Sequence, residues 1–75
     1  MTMRLYALYD RVAEECGPVW TAKSDAVAVR NARNGLKEAR LDEWFLYCLG
    51  SFDPEKVELH AIKATQVPLQ AREDV

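Results

Sequence analysis

A chain of 75 residues is one domain, and a domain of that size buries only about 60% of the surface its unfolded chain exposes, so its core is thin and a second copy would help it. Hydrophobic residues at 49% and charged residues at 29% place it among globular sequences, and no apolar run approaches the ~20 residues of a membrane span. A net charge of −2 argues against an overall basic nucleic-acid binder, although the distribution of charge matters more than its sum.

The opening "MTMRLYALYD" meets Arg4 and Asp10 too early to supply the apolar region of a signal peptide, so a cytoplasmic location is expected. Within it, Met3 to Asp10 is short, aromatic-rich and bounded by polar residues, which predicts a strand. Its two alternate sets are Met3, Leu5, Ala7, Tyr9 and Arg4, Tyr6, Leu8, Asp10. Gly17-Pro18 then reads as a breaker pair, and Val19, Trp20 and Thr21 favour a short second strand pairing antiparallel with the first.

Ser24 offers a hydroxyl N-cap and Asp25 a first-turn carboxylate, so a helix is expected from Asp25 to about Leu41. At 100° per residue Ala28, Val29, Ala32, Leu36 and Ala39 share one arc, and Arg30, Arg33, Lys37 and Arg40 occupy an adjoining band. Gly35 inside that span is either a close-packing position or a weak spot. Glu43 to Asp53 is nearly apolar on both alternate sets and reads as a central strand. Asp53-Pro54-Glu55-Lys56 predicts a tight turn, and Val57 to Ala64 a return strand.

The expected fold is therefore α+β in β-β-α-β-β order: a small antiparallel sheet with one helix packed on one face. The domain spans residues 1–69, and 70–75 form a polar, frayed tail. One helix covers one sheet face, leaving the other, with several of Tyr6, Leu8, Phe45, Tyr47, Leu49 and Ile62, exposed in a monomer. Such a patch belongs either to a second copy or to a surface on which bases stack. Tyr6, Trp20, Phe45 and Tyr47 are the residues expected to serve in stacking or at a dimer interface.

Catalysis finds little in the sequence, and no enzyme activity is expected. His60 has Glu58 nearby but no nucleophile tied to it, and the three glycines are isolated rather than gathered into a phosphate-cradling loop. The carboxylate pairs Glu14-Glu15 and Asp42-Glu43 are adjacent loop residues, a poor source of convergent metal ligands, and Cys16 and Cys48 have no zinc or redox spacing. Neither metal nor cofactor is expected, and the cysteines read as reduced, structural thiols. The cations survive this filter better, because a helical row of Arg and Lys can follow phosphates, although such a row is also an ordinary solvated rim.

"LYALYDRVAEECGPVWTAKSDAVAVRNARN" followed by "FLYCLGSFDPEKVEL" resembles the small nonstructural protein of gokushovirus-type microviruses, phages with circular single-stranded DNA genomes. The features that carry the resemblance are Leu5 to Asp10, Gly17 to Lys23, Ser24 to Arg33 and Leu46 to Asp53, about two thirds of the chain. The segment between helix and central strand is shorter than in relatives, and Ala32 stands where they carry a larger apolar residue. The resemblance implies a role in viral DNA replication or packaging and supplies no catalytic residue. It makes Lys23, Arg30, Arg33, Lys37 and Arg40 the expected contacts to single-stranded DNA. The alternative is a homodimeric interaction module that engages a host replication factor or the viral procapsid through the same row.

Overall fold

In a computed structural model the described residues are 2–37 and 40–69. The expected tail, residues 70–75, and Ala39 of the expected helix arc lie outside them. Two hairpins flank one helix: β1 (Met3–Asp10), β2 (Glu15–Ala22), α1 (Asp25–Gly35), a single 3-10 turn (Leu41–Glu43), β3 (Trp44–Asp53) and β4 (Glu58–Val67). The strands make one antiparallel sheet in the order β2-β1-β3-β4, so β1 and β3 are central and β2 and β4 are edges.

Both hairpins turn on an aspartate. Asp10 Oδ1 accepts from the backbone N–H of Val12 and of Ala13 at 3.0 and 3.1 Å, and Asp53 Oδ1 accepts from those of Glu55 and Lys56 at 3.0 and 3.4 Å. A short carboxylate that can cap its own following amides is the reason aspartate initiates such turns. Each four-residue connection closes on a left-handed residue, Glu14 at φ 60° and Val57 at φ 54°.

Pairing does not stop at Gly17-Pro18, which corrects the expected breaker. Ala7 pairs with Val19 and Tyr9 with Cys16, so Gly17 and Pro18 stand together opposite Leu8 as a bulge. Pro18 lacks an N–H for the ladder and is tolerated because β2 is an edge. A second bulge lies in β3, where Leu5 pairs with Gly50 and Tyr6 with Cys48, leaving Leu49 extra. Strand β4 runs on to Val67, past the expected end at Ala64, with an irregularity facing that bulge.

The helix begins where expected: Ser24 is extended (φ −154°, ψ 169°) and its Oγ accepts from Val27 N–H at 3.3 Å. It ends about a turn and a half early, at Gly35, with Leu36 N–H bonded to Ala32 C=O at 2.9 Å. Asn34 and Gly35 are both poor helix formers, which suits a terminus there. A Cβ on Gly35 would meet nothing within 4 Å, so this glycine is a weak spot and not a packing device.

Ala28 and Ala32 of α1 and Leu36 at its C-cap pack on Tyr6, Ala22, Leu46, Cys48 and Val67 of the sheet, with Leu69 closing the end. Two alanines at the centre of the helix stripe bring the helix close to the strands. The molecule is accordingly a slab, with principal extents of 37 × 31 × 19 Å.

Cross-strand register sorts the sheet residues by charge. The paired Asp, Glu, Arg and His residues, Arg4, Asp10, Glu15, Asp53, Glu58 and His60, share the helix side with Tyr6, Leu8, Trp20 and Cys48. The opposite side runs from Met3, Leu5, Ala7 and Tyr9 to their partners on β2 and β3 and on to Leu59, Ala61 and Gln66, and the residues in register there include no Asp, Glu, Lys, Arg or His, Lys63 falling in the unpaired stretch of β4.

Candidate nucleic-acid interface

Arg30 and Arg33 are exposed on α1, and Lys37 is exposed just past its end. Arg30 and Arg33 are three residues apart on the helix, about 4.5 Å along its axis, and Lys37 lies in the turn that follows. Lys23, also exposed, precedes the Ser24 cap at the other end. Among the described residues neither Lys23, Arg30 nor Lys37 forms an ion pair, so their charge is available to an anion in solution.

The other two cations of the expected row are already engaged. Arg33 donates from a guanidinium N–H to Leu69 C=O at 3.0 Å, fastening the segment after β4 to the helix. Arg40 is not on the helix at all: its backbone is extended (φ −81°, ψ 116°) at the entry to the 3-10 turn. It forms a two-point contact with Asp42, Nε to Oδ1 at 3.3 Å and an outer nitrogen to Oδ2 at 3.1 Å. That hydrogen bond holds the Asp42 carboxyl below its ordinary pKa and raises that of Arg40. The row is thus an arc of three unmatched cations plus Arg33, with Arg40 locally neutralised.

The aromatic candidates divide between the two sides of the sheet. Tyr6 is fully buried under the helix, which corrects its expected place on an open surface. Its hydroxyl donates to Asp25 Oδ1 at 2.5 Å, and Arg4 Nε lies 3.4 Å from the same oxygen. Burial first, and then that hydrogen bond, push the Tyr6 phenol up to about 12. Trp20 is half-buried and tilted against Tyr6, ring centroids 6.1 Å apart, so it also belongs to the helix-side core. Its indole N–H is buried and has no partner among the described residues. Leu8 packs against the same core, another departure from the expected open patch.

Phe45 and Tyr47 do lie on the side away from the helix, half-buried and in edge-to-face contact at 6.3 Å. A ligand on Arg30 and Lys37 therefore cannot rest on these rings without passing round the edge of the slab. Of the cysteines, Cys48 is buried in the core and Cys16 is exposed on β2, both as free thiols. Glu58 and His60 approach to 3.5 Å at the surface.

Two features went unread in the sequence. One is the Arg4–Tyr6–Asp25 cluster, which ties the helix start to the central strand across 19 residues and left no local pattern. The other is an apolar groove of about 490 Å³ along the charge-free side, lined by Leu5, Val19, Thr21, Leu49, Phe52, Leu59 and Ala61. Its signal was present as the uncharged alternate set of β1, Met3, Leu5, Ala7 and Tyr9.

The class of protein defined by these features is a small α+β slab, cationic outside its helix and apolar outside its sheet. The chain belongs to the phage ORF5 protein family, whose model matches residues 3–73. No curated relative and no solved structure matches it. No helix among the described residues is long and apolar enough to cross a membrane.

Proposed function

We propose that this chain is a non-enzymatic protein of a microvirus-type phage that supports replication or packaging of a single-stranded DNA genome in the host cytoplasm. It holds the strand weakly and without base specificity, through Lys23, Arg30 and Lys37, with Arg33 sharing its remaining donors. The observation that carries this reading is that Arg30 on α1 and Lys37 in the turn just after it stand exposed and unpaired among the described residues. Membership of a phage family supports the viral setting. A net charge of −2 keeps long-range attraction to DNA low, so contact depends on this local patch.

The test is fluorescence anisotropy of a labelled single strand of about 30 nucleotides across a salt series, with the same-length duplex in parallel. Binding that prefers the single strand and weakens with salt is expected. Arg30→Ala with Lys37→Ala should flatten the slope of log affinity against log salt by about 1.4, at ~0.7 per lost phosphate contact, with melting unchanged. Arg33→Ala is a poorer probe, because it also removes the bond to Leu69. Absence of binding to either form at low salt sinks the proposal.

A second reading, a protein-interaction module that engages a host replication factor or the procapsid, draws support from the charge-free apolar side of the sheet. A protein partner suits that surface better than a polyanion does.

A further inference from the structure

We infer that the open side of the sheet is a homodimer interface, on which two copies pack sheet against sheet about a twofold axis. The groove between β2 and β4 is apolar over its length, with Leu5, Leu49 and Phe52 in its floor and Val19 and Leu59 on its rims, 53% and 61% exposed. Exposed aliphatic side chains gathered around a groove, on a side with no Asp, Glu, Lys, Arg or His in register, are the composition of an interface centre.

Area, charge and the rest of the chain select the occupant. Four strands spaced about 4.8 Å apart and rising about 3.3 Å per residue over eight to ten residues present roughly 500 Å² per copy. Two copies together reach the ~1,000 Å² that a specific interface needs. A twofold contact sets each residue against its own kind or its neighbours, which like charges would oppose, and this side has none in register. DNA would bring phosphates to a surface with no cation in register to meet them. Residues 70–75, "QAREDV", carry Arg72, Glu73 and Asp74 and offer little apolar surface to fill the groove from within the chain.

The inference stands apart from the DNA reading, and its test contains no DNA. Sedimentation equilibrium of the full chain from about 5 to 500 µM should show the mass rising from the 8.6 kDa monomer towards twice that value. Because the interface is apolar, added salt should not weaken it. Val19→Glu with Leu59→Glu should leave a monomer throughout, with an unchanged far-UV circular dichroism spectrum, since both side chains are more than half exposed before association. Thr21→Lys, exposed on the same side, gives an independent second disruption. Val12→Glu, at the 65% exposed position in the β1–β2 turn, should leave the dimer intact.

A wild-type chain that stays monomeric to 500 µM overturns the inference. So does a dimer that survives both disruptions, which would move the contact to another surface such as the β4 edge.

Discussion

The same substitution at two glycines should move stability in opposite directions. At Gly50 the backbone has φ +139°, and a Cβ would stand 2.1 Å from the His60 carbonyl oxygen and 3.0 Å from Ala61 Cα. Carbon and oxygen in contact need about 3.3 Å, so β4 would have to retreat by more than an ångström from a ladder whose bonds tolerate a few tenths. The backbone region itself costs a side-chain-bearing residue about 1–3 kcal/mol. Loosening β4 also disturbs Val67 and Leu69, which seal the core. Gly50→Ala should therefore cost about 3–5 kcal/mol, a large share of the roughly 4–11 kcal/mol available to a chain of this length. Gly35, with nothing within 4 Å of its added Cβ and no positive φ, should gain about 0.5–1 kcal/mol as alanine. Thermal unfolding at one fixed protein concentration should lower Tm by at least about 12 °C for Gly50→Ala and raise it by about 2–8 °C for Gly35→Ala. A Gly50→Ala protein that melts within about 2 °C of wild type would refute the claim that the β3 bulge is held by close approach of β4.

Two further outcomes follow from the same physics. The Tyr6 phenol, pushed up to about 12 from its ordinary 10, stays protonated more readily folded than unfolded. Its contribution of about 3 kcal/mol is fully present below pH 10 and lost as pH rises towards 12. Urea unfolding should show wild type losing stability over that interval faster than Tyr6→Phe, and equal losses would remove Tyr6 as the source. In the β3–β4 turn, Val57 is a β-branched residue at φ 54° with 77% of its surface exposed. Val57→Asn should relieve about 1 kcal/mol and raise Tm by about 4–8 °C, whereas an unchanged or lower Tm would show that the turn carries no such strain.

How far the fold was legible depended on whether its cause was local. The start of α1 was readable because Ser24 and Asp25 act on the amides beside them, and β1 because its alternation is confined to eight residues. Which side of β1 meets the helix was not. The set Arg4, Tyr6, Leu8, Asp10 carries two charges and by binary pattern belongs in solvent, yet it lies beneath α1. The reason is position along the strand. Arg4 and Asp10 sit near its ends, where one meets Asp25 at the helix start and the other caps its own turn, so only Tyr6 and Leu8 need be covered. Gly17-Pro18 misled for a similar reason, since a proline forbidden in a central strand is harmless in an edge bulge, and edge status is a tertiary fact. In the site, exposure of Arg30 followed from helical periodicity, Lys37 is exposed past the early end of the helix, and the engagement of Arg33 by Leu69 joins residues 36 positions apart.

The two proposed surfaces face opposite ways across a slab whose shortest extent is 19 Å, and that separation makes their relation measurable. Arg30 and Lys37 share no contact partner with Val19 or Leu59 among the described interactions, so effects of the two pairs on folding should add within about 0.5 kcal/mol. Their effects on binding need not add. A dimer packed sheet to sheet carries its two cationic helices on opposite outer surfaces, so one long strand can engage both only by wrapping around the edge, the second engagement then being intramolecular. If it does, Val19→Glu with Leu59→Glu should weaken binding to a long single strand much more than to one of about 10 nucleotides, which is too short to span both helices. No loss at either length would mean that each helix binds alone. The dimer would then serve to bring together separate strands, or separate regions of one strand, without raising affinity for either.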